Sequence, residues 1–255
     1  MVVLSGLLHS VRASPYSMLV YWRPGKADFA RRVDGDKLCA NRHEPNDVTV
    51  QKPTDILDFD APPAEPIEPF MAWLAEAEQQ TDLPNPNAMA LATVDADGQP
   101  SNRIVLLKDF DAHGAVFFTN LQSHKATALH AHPKASLLFH WDPLNRQIRI
   151  DGRVSQVSDN EADAYFATRP RGSQIGAWAS DQSRLLNSRS ELERRVVDSA
   201  EKYHGRDVPR PPHWGGFRVN LERVEFWQGR EDRLHDRIVY TPREDGGWDV
   251  KRLFP

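Results

Sequence analysis

The feature that most constrains this chain's fold is a succession of short apolar runs punctuated by turn pairs. "AMALATV" (88–94) meets "DADG", "RIVLLKDF" (103–110) meets "DAHG", and "AVFFTN" (115–120) follows. "ASLLFHW" (135–141) and "RQIRIDGRVSQV" (146–157) face one another across "DPLN". Apolar runs of this length divided by Asp-Gly or His-Gly pairs are hairpin chemistry. The C-terminal part returns to the same pattern: "GFRVNLERVEFWQG" (216–229) reads as one strand, and "LHDRIVYTPR" (234–243) and "WDVKRLF" (248–254) are joined by "EDGG". There is no strand–helix–strand rhythm. The expectation is a mainly β, α+β chain: an antiparallel β-barrel with peripheral helices.

The helices are few. In "PIEPFMAWLAEAEQQ" (66–80), Ile67, Phe70, Met71 and Leu74 fall at i, i+3, i+4 and i+7, an amphipathic helix. "SHKATALHAH" (123–132) fits a short one. "SDNE" (158–161) and "SELE" (190–193) read as capping boxes opening two more. The helix after "SDNE" is expected to end at "RP", and "RGSQIGAWAS" to continue as a loop. Residues 1–65 are rich in Pro, Asp and Arg without sustained period, and "DFDAPPAEP" (58–66) reads as a linker. They are taken as a poorly ordered N-terminal extension, with one domain over 66–255.

Several functional classes are excluded early. A net charge of −4 has the wrong sign for a nucleic-acid sheath, so any cationic cluster must be local and suits a small anion. One cysteine, Cys39, permits neither a disulfide framework nor a multi-Cys zinc site. No apolar run approaches the roughly 18–20 residues needed to cross a bilayer. The N-terminus has no basic n-region or clean cleavage site, so a cytoplasmic location is expected. There is no HExxH, no facial triad and no GxSxG, and no metal is expected. The Gly-rich phosphate loops GxGxxG and GxxxxGK[ST] are absent as well, so any phosphate must be held by side chains.

Such side chains recur at strand ends and in loops: Arg103, Lys108, Lys125, Gln147, Arg169, Ser173, Arg233 and Arg237. Singly, each reads as a solvated edge residue. Together they suit an anion, since Arg forks match phosphate oxygens and hydroxyls complete the cage. Alternation in "RIVLLK" puts Arg103 and Lys108 on opposite faces, so they serve different groups or lie beyond the strand ends. It points Gln147, Arg149 and Asp151 one way and Ile148 and Ile150 into a core. Tyr165 and Arg169, four apart, share a helix face. If "RLHDR" (233–237) is a strand, Arg233, His235 and Arg237 point one way, and Leu234 and Asp236 the other. Trp227 reads as a core residue or as a contact for a flat cofactor.

With these residues in view, "RIVLLKDFDAHGAVFFTNLQSHKA", "LLFHWDPLNRQIRIDG", "YFATRPRGSQIGAWASDQS", "HWGGFRV", "EFWQGREDRLHDR" and the terminal "RLFP" resemble the pyridoxine/pyridoxamine 5′-phosphate oxidase family, in order from about residue 67 to the end. Residues 1–65 do not share in the resemblance. It implies an FMN-binding split β-barrel, a homodimer with FMN at the interface. The implied reaction oxidises pyridoxamine or pyridoxine 5′-phosphate to pyridoxal 5′-phosphate, with hydride passing from substrate C4′ to flavin N5 and dioxygen yielding hydrogen peroxide. Two phosphates, on flavin and substrate, then account for the number of cations.

Carried over by motif, the resemblance assigns Arg103, Ile104, Val105, Leu106, Leu107, Lys108, Phe118, Thr119, His124, Lys125 and Gln147 to the FMN site, with Gln182, Ser183, Trp227 and Arg237, some of them from the second subunit. It assigns Lys108, Tyr165, Arg169 and Ser173 to the substrate phosphate. Arg233, Leu234 and His235 are assigned to the substrate ring, with Arg233 and His235 as the catalytic pair. His235 either orients the ring or moves a proton; the residues leave both open. Asp236 is expected to be a structural partner. His124 stands where the family usually has Arg or Lys, which is expected to weaken the grip on the FMN phosphate near neutral pH. No match to the family's N-terminal lid is found in 1–65. Two other readings are weighed: a relative oxidising another heteroaromatic ring, such as a phenazine precursor, and a non-catalytic flavin or pyridoxal-phosphate binder. The intact "RPRGSQIGAWAS" disfavours the first, and the presence of both Arg233 and His235 disfavours the second.

Overall fold

Alternating apolar residues need a second layer to bury against, and a curled sheet supplies it from its own inner face. The computed structural model describes residues 57–255. Its strands are β1 (Ala88–Val94), β2 (Pro100–Leu106), β3 (Asp109–Asp111), β4 (Gly114–Asn120), β5 (Lys134–Trp141), β6 (Arg146–Gln156), β7 (Trp214–Val219), β8 (Arg223–Gln228), β9 (Asp236–Pro242) and β10 (Trp248–Arg252). The helices are α1 (Ile67–Gln80), α2 (His124–Ala131), α3 (Asp159–Thr168), α4 (Arg171–Ala179) and α5 (Arg189–Lys202). All pairings are antiparallel, in the order β10-β9-β8-β6-β5-β1-β2, with β6 also pairing β7, β7 pairing β4, and β4 pairing β3. The expected antiparallel barrel with peripheral helices is what forms.

β6 makes the curl possible. Its first half, Arg146 to Asp151, pairs with β8; its last residues, Val154 to Gln156, pair with β7. Between them sits Gly152, where a Cβ would lie 1.8 Å from the Asn220 carbonyl oxygen. Glycine is required there because two backbones meet. Gly152→Ala is expected to destabilise the fold by about 1–3 kcal/mol, the range for overpacking a filled interior. Thermal unfolding checks this, and an unchanged midpoint would contradict it.

The barrel is split between β2 and β4, which do not pair. The Leu107–Lys108 link spans the gap, anchored by Leu107 N–H to the Asn87 carbonyl (2.9 Å) and Lys108 N–H to the Val116 carbonyl (2.8 Å). The expected continuous strand over 103–110 is therefore two strands, β2 and β3, because the chain must step across the split. Leu107 turns into the core at 1% exposure.

Inside the curl, Ile148, Ile150, Phe139, Leu137, Val224 and Phe226 are fully buried, as alternation requires. Helix α1 caps this core: Phe70 stacks on Phe110 at 3.8 Å, and Trp73 meets Phe226 edge-on at 5.2 Å. Arg146 of β6 and Glu76 of α1 form a buried ion pair at 2.5 Å. The core also reaches back beyond residue 66. Leu57 and Phe59 are buried in it, and the Tyr240 hydroxyl donates to the Pro63 carbonyl at 3.1 Å. Leu57, Phe59 and Pro63, expected to belong to an extension, thus contact the barrel, while Asp58, Asp60, Ala61, Ala64 and Glu65 between and beside them are exposed; residues 1–56 of that expected extension lie outside the described residues.

Three further expectations need correction. The segment 171–179 is helix α4, not a loop: Ile175 and Ala179 are buried four residues apart, and that packing outweighs the helix penalty of Gly172 and Gly176. The last helix is capped by Ser188, whose hydroxyl accepts from Glu191 N–H at 3.1 Å, so its N-cap lies two residues before the serine that opens the expected box. The run 216–229 is two strands, β7 and β8, because β6 pairs with one and then the other.

Candidate active site

A cleft of about 650 Å³ opens where β2 and β4 part. Ile104, Val105 and Leu106 of β2 with Lys108 form one wall, and Phe118 and Thr119 of β4 form another. Lys125 enters from α2, Tyr165 from α3, Arg169 and Ser173 from the α3–α4 junction, Gln182 from the segment after α4, and Trp214 from β7. The lining contains three cations and no carboxylate.

The cations form two groups. Lys125 Nζ donates to Thr119 Oγ1 (3.0 Å), Ser123 Oγ (3.2 Å) and Gln182 Oε1 (2.9 Å). Burial, with the nearby Arg103 charge, depresses Lys125 to about 8. Arg103 is tied down under β1, donating to the Leu91 carbonyl (3.1 Å) and Thr93 Oγ1 (2.7 Å). It does not line the cleft, yet its charge is felt at Lys125. The second group is Lys108 and Arg169. Burial lowers both, and for Lys108 the Arg169 charge adds to the effect. Desolvated cations that repel one another and lack an acid are stabilised by an anion between them.

An aromatic stack fixes the second group. Phe118 lies parallel to Tyr165 at 4.2 Å and to Trp214 at 5.3 Å. The Arg169 guanidinium sits over Trp214 at 4.8 Å, and its Nη1 is buried without a hydrogen-bond partner among the described residues. Burial raises the Tyr165 phenol, so it stays a neutral donor. Arg169 is not on a helix face with Tyr165 as expected: it is the extended C-cap of α3, with Pro170 next. The first turn of α4 contributes Gly172 and Ser173, and a helix N-terminus favours negative charge. A second packed cluster, including Phe166, Ile175, Tyr203 and Trp214, seats α3 and α4 on β7.

Gln147, Trp227 and Arg237 lie elsewhere, in one cross-strand row on the outer face of β6, β8 and β9. Arg237 donates Nε and Nη2 to Glu225 Oε1 (2.8 and 2.6 Å) and Nη1 to the Phe254 carbonyl (3.0 Å). The expected strand over "RLHDR" is not formed. β9 starts at Asp236, and Asp232 and Arg233 take left-handed backbones (φ 52° and 62°). Two such residues in succession, neither glycine, are strained, and the turn they make cancels the single-face alignment of Arg233, His235 and Arg237. Arg233 and Leu234 are exposed. The His235 ring lies 4.5 Å from Trp227, and its Nδ1 accepts from Arg230 N–H at 3.1 Å. Asp236 pairs with Arg230 (2.7 Å) and Arg252 (2.6 Å).

One chain therefore brings Ile104, Val105, Leu106, Lys108, Phe118, Thr119, Lys125, Tyr165, Arg169, Ser173 and Gln182 to the cleft. Arg103, Leu107, His124, Gln147, Ser183, Trp227, Arg233, Leu234, His235 and Arg237 are not in its lining. His124, at the start of α2, and Ser183, with φ 71°, are exposed. Sequence reading missed Trp214 and Ser123, although Trp214 stands out as an aromatic directly before two glycines. Among the described residues, no helix is long and apolar enough to cross a membrane, and no group of three or more His, Cys, Asp or Glu is placed to hold a metal.

Comparison with known proteins bears on this geometry. The family model described as pyridoxamine 5′-phosphate oxidase matches residues 75–228, and that of the pyridoxine 5′-phosphate oxidase C-terminal dimerisation region matches 214–255. A pyridoxine/pyridoxamine 5′-phosphate oxidase of Myxococcus xanthus (strain DK1622) is 58% identical over 193 residues, covering 76% of this chain and 93% of its own. One from Cupriavidus metallidurans is 56% identical over 191 residues, covering 75% and 89%. Among solved structures, PhzG from Burkholderia lata 383, in complex with tetrahydrophenazine-1-carboxylic acid, superposes with TM-score 0.72 at 33% identity, covering 77% of this chain and 96% of that one. A pyridoxamine 5′-phosphate oxidase-related FMN-binding protein from Nostoc punctiforme shares the fold at TM-score 0.61 and 17% identity, covering 75% and 98%.

Proposed function

The chain belongs to the pyridoxamine 5′-phosphate oxidase family, and we propose that it oxidises pyridoxamine 5′-phosphate and pyridoxine 5′-phosphate to pyridoxal 5′-phosphate, with dioxygen reduced to hydrogen peroxide. It is an oxidoreductase that uses FMN and assembles as a homodimer. One observation carries the substrate assignment: two separate desolvated cation groups line the cleft, Lys125 with the Arg103 charge behind it and Lys108 with Arg169, and no carboxylate does. Two groups suit two phosphates, one on the cofactor and one on the substrate.

The residues present fit FMN. Lys125, Thr119 and Gln182 would hold its phosphate, and Ile104, Val105 and Leu106 offer an apolar edge to its ring. When bound, FMN supplies a two-electron acceptor for the hydride leaving the substrate carbon. Lys108, Tyr165, Arg169 and Ser173 would bind the substrate phosphate, with the Arg169 fork resting over the Trp214 ring. Arg233, Leu234 and His235 would meet the substrate ring, with Gln147, Trp227 and Arg237 against the cofactor. Because that row stands apart from the cleft in one chain, we assign the completion of the site to the dimer interface, with one subunit's row serving the other's cleft. Positioning and charge are the protein's share of catalysis. We place the reaction in the cytoplasm, as expected from the sequence. The protein as purified with FMN should lose its flavin's visible band when pyridoxamine 5′-phosphate is added without oxygen. A bound flavin that stays oxidised would overturn the proposal.

Lys125 gives a pH prediction. Free, it titrates at about 8; a bound phosphate favours the cation and raises that value. Binding above pH 8 then requires proton uptake, so FMN affinity should fall as pH rises, by up to about tenfold per pH unit. Lys125→Met should bind FMN more weakly and without that slope. A slope that survives the substitution would assign it to another group.

A further inference from the structure

The row that carries Arg237 is built on a residue that sequence reading did not single out. Glu225 of β8 is 5% exposed and lies on the same face as Trp227, two residues on. Both its oxygens are taken. Oε1 accepts Nε and Nη2 of Arg237, at 2.8 and 2.6 Å, and Oε2 accepts Arg149 Nη2 (2.9 Å) and Arg223 Nη2 (2.6 Å). One carboxylate thus ties arginines from β6, β8 and β9. Burial works against its charge, but the hydrogen bonds from Arg223 and Arg237 and the Arg149 charge hold its carboxyl below the usual range. Among the described residues the other acid of the cluster is Asp151, 3.3 Å from Arg149 Nε and 3.7 Å from Arg223 Nε. With Glu225 on one side and the Phe254 carbonyl on the other, Arg237 has its Nε and both terminal nitrogens engaged. An arginine side chain otherwise keeps considerable rotamer freedom.

We infer that Glu225 is a positioning residue for the cofactor site, acting through Arg237. This rests on the reading of Arg237 as an FMN contact. Glu225 touches neither ligand; it fixes the direction of the guanidinium that does, and it lowers the positive charge of a three-arginine face.

The sign of the effect separates positioning from charge. Removing a carboxylate from a cationic face would tighten an anionic ligand if charge alone mattered, whereas releasing Arg237 weakens it. The test is FMN titration of the full chain stripped of flavin, followed by fluorescence, for wild type, Glu225→Ala, Arg237→Ala and the double variant. Glu222→Gln, which removes a charge three residues away from a surface pair with Arg153 (3.1 Å), is the control and should not change affinity. Glu225→Ala is expected to weaken FMN roughly tenfold, and to add less than about twofold in the Arg237→Ala background. Equal weakening in both backgrounds, or tighter binding by Glu225→Ala, would overturn the proposal. An Arg237→Ala variant that binds FMN like wild type would overturn the assignment of Arg237, and the proposal with it. Should Glu225→Ala not fold, Glu225→Asp, which keeps the charge but withdraws it by one methylene, carries the same cycle with the same expectations.

Discussion

Arg169→Ala should raise KM for pyridoxamine 5′-phosphate about ten- to hundredfold while leaving FMN content unchanged. The guanidinium is already desolvated over Trp214, with Nη1 buried and unpaired among the described residues. Its desolvation cost is thus met in the folded protein before any ligand arrives, and a phosphate meets a donor that needs no reorganisation. Losing a hydrogen bond to a charged group costs about 1.5–3 kcal/mol, which sets the expected range. Phosphate-free pyridoxamine should react with variant and wild type alike. The comparison of the two substrates checks the assignment, because a merely structural defect would slow both. Trp214→Leu should show a weaker version of the same pattern, since it removes the platform and leaves the charge.

The largest effect on stability is expected at a buried ion pair between β6 and α1. Glu76→Ala leaves Arg146, 1% exposed, without its carboxylate and, among the described residues, with Gln228 Oε1 at 2.8 Å and the Trp73 face at 4.6 Å. An uncompensated buried charge costs about 3–5 kcal/mol, which for a chain of this size moves the thermal midpoint by about 6–20 °C. The pair itself need not stabilise the fold. Glu76→Leu combined with Arg146→Met fills similar volume without charge and should recover most of the loss. A double variant as unstable as Glu76→Ala would show that the ion pair does more than avoid its own half-made state.

These effects sit on parts of the molecule that were unequally legible in the sequence. The hairpins β1–β2 and β5–β6 follow from alternation and turn residues, both local signals. Helix α4 was hidden because Pro170, Gly172 and Gly176 are local loop signals, while the burial of Ile175 and Ala179 is decided by α3, α5 and β7. The turn at Asp232 and Arg233 was hidden for the opposite reason. No glycine marks its left-handed backbone, so alternation over "RLHDR" gave a strand and a wrong parity. The cleft is a long-range object. Lys125 meets Gln182 across 57 residues of chain, and no periodicity predicts that meeting. The membership of Lys108, Tyr165, Arg169 and Ser173 in one site came from resemblance to a family, whereas the reason they belong together, two desolvated cations and no acid, is visible only in the folded chain. Glu225 was invisible for the same reason: in sequence it is one acidic residue in a strand, and only the register of β6, β8 and β9 brings three arginines to it.

Two cation groups in this fold would seat a flavin and a phosphorylated ring substrate for oxidation. Oxygen uptake by the FMN-loaded chain tests it most directly. Pyridoxamine 5′-phosphate and pyridoxine 5′-phosphate should each drive oxygen consumption with one hydrogen peroxide formed per pyridoxal 5′-phosphate, and their phosphate-free forms should do so far more slowly at the same concentration. An FMN-loaded protein that consumes no oxygen with either phosphate ester, or that oxidises a phosphate-free ring faster than both, would contradict it.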